Sequence, residues 1–332
     1  MHMKILSPLD SPAEVESLIE AGAGEFYCGV LEESWYNPYP VISINRRPAG
    51  KGHMRNFAEL ARAVALSHQH DVPVFFTINE HYYTKQQLPL VKDYIDKACD
   101  AGVDAFIIAD YGLFNLLREH SNSTGIHIST GGTVFNWRTA RFYQELGATR
   151  VTLPRHLTLD EMKKLAGHLP GLETSVFVFN SRCINIDGFC TFQHGLSGRQ
   201  TPAFYRNACM LPYDITPIPL MATAAEEPLE DTSRFIACQR VWETVHLDDF
   251  PCAACALYEF KGMKITSLKI VGRGNSTLRK TTDVTFFRKL LNRLSGDRPA
   301  KKEFREYARS LYNSTYQRSC RPFMCHYPSV ME

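Results

Sequence analysis

Long apolar runs are missing from this 332-residue sequence. The longest, such as Ala105–Ala109 and Ser175–Phe179, fall far short of the ~20 residues that a membrane-spanning helix needs. The first residues carry no apolar core of a secretory signal, so the expectation is a cytoplasmic chain without membrane insertion. Also absent are the His-Glu-x-x-His helix of zinc proteases, the Gly-x-Ser-x-Gly turn that presents a nucleophilic serine, and the Cys-x3-Cys-x2-Cys run of radical enzymes that use S-adenosylmethionine. No Gly-rich phosphate turn follows the first strand-like run, which weighs against a dinucleotide fold. With 44% apolar and 22% charged residues, the composition excludes a disordered or collagen-like chain.

What is present is an alternation of short apolar runs and helical patterns. The strand candidates are Lys4–Ser7, Glu25–Gly29, Pro73–Ile78, Ala105–Asp110, Ile126–Thr130, Arg150–Pro154, Thr174–Asn180 and Ser267–Gly272. Between them lie helix patterns over Pro12–Ala21, Asn56–His70, Leu88–Ala101, Thr139–Leu146 and Leu159–Leu169, several stopped by Gly and the last opened by a Thr158/Glu161 capping pair. Such alternation signals parallel βαβ units. Eight strands are the count for a TIM-like (β/α)8 barrel, and a doubly wound open sheet is the competing arrangement.

About 85 residues separate the seventh and eighth strands, and they hold six of the ten cysteines. The expected division is a barrel core of residues 1–180 and 267–285, a Cys-rich metal-binding insertion of 181–266, and a basic C-terminal segment of 286–332. In such barrels the loops after the strands form the active face, which places the insertion over the mouth. Position alone makes the strand-end residues Ser7, Asn79, Asp110, Ser129, Arg155, Asn180 and Arg273 site candidates.

Cytosolic thiols stay reduced, so clustered cysteines point to metal or catalysis before disulfides. Cys183, Cys190, Cys209, Cys238, Cys252 and Cys255 supply soft thiolates suited to zinc or to an iron–sulfur cluster, and spacing does not choose between them. Cys320 and Cys325 form a further pair that could complete a second four-thiolate site with Cys252 and Cys255. Cys28 and Cys99 stand alone and read as core residues.

The net charge of +2 hides an asymmetry. Lys261–Arg321 holds sixteen Lys/Arg against four Asp/Glu, whereas the rest holds 21 against 31. A basic segment on an acidic body suits an anionic partner such as an RNA backbone, although part of it, Phe286–Leu294, also reads as an ordinary amphipathic helix.

The stretch "NSRCINIDGFCTF" resembles the cysteine signature of peptidase family U32, and "TSLKIVGRG" resembles that family's "SLKIEGR" strand. "IHISTGGTVFNW" and "ATRVTLPRHLTLDEM" are similar to two further family segments, so the resemblance spans roughly Lys4 to Asn275. It implies a barrel-like core and a 4Fe-4S cluster held by four cysteines. It also implies oxygen-independent hydroxylation, with prephenate as the hydroxyl source and either RNA pyrimidines or an aromatic ubiquinone precursor as acceptor. Carried over by position, Cys183, Cys190 and Cys209 match the first three ligands. Cys252 fits the fourth without a gap and Cys255 with a short deletion, with Cys238 as a further candidate. Val271 replaces the family's Glu in the strand motif, and His156 replaces its Glu after the arginine of the sixth strand; both departures bear on the substrate.

A dicarboxylate co-substrate calls for guanidinium partners, and Arg155, Arg182 and Arg273 are the expected ones, with Asn79 and Ser129 as polar neighbours. Asp110 and His127 are the nearest acid–base candidates. Two other functions compete with the hydroxylase. One is an iron–sulfur electron-transfer or scaffold subunit working with a redox partner or a heterodimeric paralogue. The other is the metal-dependent, collagenase-like peptidase of the family's name, for which no recognisable nucleophile or activated water site is present.

Overall fold

The computed structural model describes residues 3–40, 43–47, 50–120, 124–180, 183, 186–189, 250–295, 299–321 and 324–331. Eight parallel strands close into a barrel in sequence order: β1 (Lys4–Pro8), β2 (Glu25–Cys28), β3 (Val74–Ile78), β4 (Ala105–Ile108), β5 (Gly125–Ile128), β6 (Arg150–Leu153), β7 (Glu173–Phe179) and β8 (Ser267–Ile270). This is the TIM-type arrangement, and the open sheet is excluded by the pairing of β1 with β8. The strands are almost wholly buried, as parallel strands covered on both faces must be.

The connecting helices are α1 (Val15–Ala21), α2 (Glu33–Tyr36), α3 (Phe57–His68), α4 (Leu88–Asp100), α5 (Leu113–His120), α6 (Trp137–Glu145), α7 (Leu159–Gly167), α8 (Leu257–Met263), α9 (Thr277–Ser295) and α10 (Lys301–Tyr316). The Thr158/Glu161 capping box forms as read from the sequence. Helix α6 starts two residues earlier than its apolar pattern suggests, because Asn136 Oδ1 accepts from the Arg138 and Thr139 amides. Helix α5 went unread, since its eight residues bury only a short stripe around Leu113, Phe114 and Leu117. No helix among the described residues is long and apolar enough to cross a membrane.

One expected domain limit, 285/286, falls inside a regular element, and the 181–266 segment contains a barrel helix. Helix α8 lies within 181–266 yet fills the ordinary helix position before β8 and packs against α7. Helix α9 runs through the 285/286 limit and packs on α1 and β1 as a barrel helix.

The barrel interior is layered. Leu6, Tyr27, Phe75, Ala105 and Ile107 form its apolar filling. At the N-terminal end Arg150 donates to both oxygens of Glu25 at 2.9 and 2.7 Å and to Glu173 at 2.7 and 2.5 Å, while Ser267 Oγ donates to Glu25 at 2.8 Å. Each charge at this end therefore has a partner. Replacing Arg150 with Ala leaves Glu25 buried without its cation. The expected cost is ~3–5 kcal/mol of unfolding free energy, read from urea denaturation; a cost under ~1 kcal/mol would show that the pair does not hold the barrel floor.

Candidate functional site

Side chains at the C-terminal ends of the strands enclose a cavity of about 160 Å³. Its walls include Tyr27, Thr77, Asn79, Ser129, Thr130, Phe177 and Val271, together with the cations Arg46, Arg47, Arg155, Lys269 and Arg273. No carboxylate is among the lining residues.

Arg273 follows β8 and is fixed from two sides: Nη1 donates to Thr77 Oγ1 and Nη2 to the Asn45 carbonyl, both at 2.9 Å. Gly29 makes this packing possible. A Cβ there would stand 2.3 Å from Asn45 Nδ2 and 2.9 Å from Arg273 Nη1, so any larger residue would push the guanidinium off its seat. Burial and the neighbouring Arg47 lower the Arg273 pKa to about 10. Arg46 is engaged by His81 and faces Glu80 at 3.9 Å. The Arg47 guanidinium makes no ion pair among the described residues, only its amide being bonded, to Ser43 Oγ at 3.1 Å.

Arg155 reaches the cavity but is already claimed. Its backbone amide and Nε donate to Asp187 Oδ2 at 2.9 and 3.0 Å and its Nη2 to Oδ1 at 2.7 Å, and its guanidinium lies 4.6 Å from the Phe177 ring centre. Asp187 belongs to the cysteine signature, so this pair clamps the start of the insertion onto the loop after β6. Gly188 completes the clamp. Its φ is +87°, and a Cβ would stand 2.5 Å from Thr133 Cγ2 and 2.7 Å from the Thr130 carbonyl.

Asn79 and Ser129 both line the cavity, with Asn79 Nδ2 donating to Ser129 Oγ at 3.3 Å. Asn79 Oδ1 is buried without a partner among the described residues. The acid–base candidates sit elsewhere. Asp110 accepts from the Tyr83 and Gly112 amides at 3.2 and 2.8 Å and organises a turn. His127 is buried inside the barrel, edge-on to Phe75 at 4.5 Å, and it does not line the cavity. Burial, Arg150 and Lys269 hold its pKa well below the usual imidazole value. Asn180 ties β7 to α9, donating to the Val271 carbonyl and to Asp283 at 2.9 Å. Arg182 lies outside the described residues.

Sequence reasoning passed over Tyr27, Arg46, Arg47 and Lys269. The legible signal for Lys269 was a lone charge inside the otherwise apolar strand Ser267–Ile270. Such a lysine in a barrel strand is costly unless it faces the site or a partner.

Of the cysteine candidates, Cys183, Cys252, Cys255, Cys320 and Cys325 are described, and Cys190, Cys209 and Cys238 lie outside the described residues. The two ends of the insertion emerge together. Phe179 forms an antiparallel bridge with Cys252, and the Asn180 amide donates to the Pro251 carbonyl at 2.9 Å. Cys183, four residues past Phe179, is near enough to Arg155 to act on its charge. The C-terminal tail returns to the same place: Cys252 bridges Cys325, with the Cys252 amide bonded to the Met324 carbonyl and the His326 amide to the Cys252 carbonyl, both at 3.0 Å. Burial, followed by Cys255, Cys325 and Cys320, raises the Cys252 pKa. Cys28 is a core residue whose thiol burial pushes up to about 12. Among the described residues no three metal-ligating side chains converge. The fit to a cluster therefore rests on the donor chemistry alone, soft thiolates on both ends of a single insertion.

The basic C-terminal segment does not present one cationic face. Lys280 is buried against Asp10 and Glu14 at 2.5 and 2.8 Å, Arg279 pairs with Asp283 at 2.8 Å, and Arg305 and Lys301 pair with Glu259 at 2.8 and 2.7 Å. Arg293 pairs with Glu303. Lys269 and Arg273 turn into the barrel mouth. Much of this charge is thus paired with acids or turned into the barrel mouth.

Residues 10–331 match the sequence model of peptidase family U32. The chain belongs to this family. It is 28% identical over 213 residues to the tRNA hydroxylation protein P of Escherichia coli, covering 64% of this chain and 44% of that protein. It is 31% identical over 201 residues to an uncharacterized protease of Methanocaldococcus jannaschii, covering 59% and 45%. It is also 25% identical over 215 residues to the 23S rRNA 5-hydroxycytidine C2501 synthase of E. coli, covering 64% and 30%. The chain thus spans less than half the length of these curated U32 relatives.

A consequence for stability follows from the cationic mouth. Burial, then Arg273, Arg150, Arg155 and Arg47, lower the Lys269 pKa from 10.5 to about 7. Between those values the unfolded chain binds more protons, so this residue makes stability rise with pH. Its cost is fully present below pH ~7 and gone above the ordinary lysine value. Lys269→Met is therefore expected to raise the melting temperature most at mildly acidic pH, with the gain shrinking towards alkaline pH. A gain that grows with pH would contradict this.

Proposed function

We propose that this U32 protein is an RNA-directed hydroxylase whose barrel mouth binds anionic substrate. The observation that carries the reading is the cavity itself, with five cations, two aromatic rings and no carboxylate among its described lining residues. Such a mouth attracts phosphates and carboxylates. Tyr82 and Tyr111, on the loops after β3 and β4 at the same end of the barrel, are 66% and 67% exposed. Exposed rings beside a cationic pocket suit stacking of unpaired bases, the usual mode of single-stranded RNA recognition. The names of the E. coli relatives, which act on tRNA and rRNA, support an RNA acceptor over an aromatic quinone precursor. Longer relatives carry further sequence, and RNA selection can be shared with such a part or with a paralogous partner chain.

In this reading Cys183 and Cys252, together with Cys190 and Cys209 outside the described residues, would hold a 4Fe-4S cluster. When bound, the cluster supplies redox capacity. The chain's own residues do the rest. The Arg155–Asp187 clamp fixes the insertion beside the cavity. Arg273 and Arg47 hold the carboxylates of a co-substrate such as prephenate, and Asn79 and Ser129 orient its polar groups.

Nucleoside digests of RNA from a gene-deleted strain and its parent, compared by mass spectrometry, test the acceptor. A hydroxylated pyrimidine lost on deletion and restored by the wild-type gene is expected. Unchanged RNA nucleosides would refute the RNA reading. Cys183→Ala and Cys252→Ala should each lower the iron and sulfide content of anaerobically purified protein, and wild-type iron in both would refute the ligand set. Tyr82→Ala and Tyr111→Ala are each expected to weaken binding of single-stranded RNA about tenfold, the lower part of the ~1–3 kcal/mol range per stacked base. Binding unchanged in both variants would remove the rings from the interface.

A further inference from the structure

Two lysines of this chain are fully buried, and their surroundings differ completely. Lys280 is 1% exposed and sits between the carboxylates of Asp10 and Glu14, the ordinary solution for a buried ammonium. Lys269 is 6% exposed and has no hydrogen bond or ion pair among the described residues. Its Nζ lies 4.6 Å from the Tyr27 ring centre and 5.5 Å from that of Phe177. The charged groups acting on it are Arg273, Arg155 and Arg47 at the mouth and Arg150 deeper in the barrel, all of them cations. His127, from β5, is the neutral titratable group beneath it. The side chain ends in the cavity lining rather than in sealed core.

A buried amine with cations around it and no carboxylate among the described residues is poorly placed as a structural charge. It is well placed as a nucleophile, because these surroundings favour the free base. Its pKa of about 7 agrees with that placement. The same cavity offers what would hold an electrophile beside it. Arg47 has a guanidinium without an ion pair among the described residues, and Asn79 Oδ1 is a buried acceptor still lacking a donor. A small 2-oxo carboxylate carries groups complementary to all three: a carboxylate for Arg47, a carbonyl carbon for Lys269, and on addition a hydroxyl that could donate to Asn79.

We propose that Lys269 is a covalent-binding residue that condenses with the carbonyl of a 2-oxo acid held in the cationic mouth. The uncharged amine attacks the carbonyl carbon, forming the C–N bond, and its proton passes to the carbonyl oxygen to give a carbinolamine. That hydroxyl takes up the remaining N–H proton and leaves as water, breaking the C–O bond as the nitrogen lone pair closes the C=N bond of the imine. No oxidant or reductant is consumed. The inference rests on the mouth being a binding site for carboxylates.

The test is reductive trapping on the full chain. Wild-type protein is incubated at neutral pH with pyruvate or phenylpyruvate and sodium cyanoborohydride, then digested and mapped by mass spectrometry, with binding of each acid followed in parallel by calorimetry without reductant. The expected result is a saturable reduced adduct on Lys269, forming at least about tenfold faster than on any other lysine. Lys269→Arg keeps the positive charge and should retain binding while losing the adduct. Binding without an adduct in the wild-type protein, or adducts spread evenly over exposed lysines, would overturn the proposal while leaving the mouth as a carboxylate site. Absence of any binding would overturn both.

Discussion

Inward-facing side chains of a closed parallel barrel can reach solvent only through its two ends, and here both ends of an apolar interior carry charge. At the N-terminal end the charge is compensated, with Arg150 between Glu25 and Glu173 and Ser267 completing the network. At the C-terminal end it is not. Lys269, Arg273 and Arg47 face a cavity with no acid among its described lining residues. The compensated floor makes the barrel stable, and the uncompensated mouth makes it receptive, because buried like charges lower their mutual cost by taking up an anion.

The second constraint is the convergence of three chain segments beside β7. The outgoing and returning ends of the insertion pair at Phe179 and Cys252, and the C-terminal tail pairs with Cys252 through Cys325. The Arg155–Asp187 clamp holds the outgoing end against the loop after β6. One arginine thus serves both the cavity wall and the insertion, so the geometry of the thiol-bearing segment is coupled to that of the mouth. That coupling is what a substrate pocket under a redox centre would require.

The fold was legible because its signals are local. Buried strands read as short apolar runs, helices end at Gly22, Gly102 and Gly147 with positive φ, and Thr158 caps α7 in the predicted way. The site was legible only in part. Asn79, Ser129, Arg155 and Arg273 stand at strand ends, and position alone brought them to the mouth. Asp110 passed the same positional filter and His127 was chosen for its acid–base chemistry, yet one caps a turn and the other points into the barrel. A residue's place along a strand sets its height in the barrel but not its competition for partners.

Residue order by itself determined the eight-stranded alternation, the cysteine-bearing excursion between β7 and β8, and the family, since each depends on spacing along the chain. Only the tertiary structure decided which charges cancel. Lys280 and Lys269 are both lysines of the same basic stretch, but one lands between two carboxylates and the other among guanidiniums. Coulomb energy depends on distance in space, and barrel closure brings β8 against β1 and β2 against residues some 240 positions away. No local pattern carries that information.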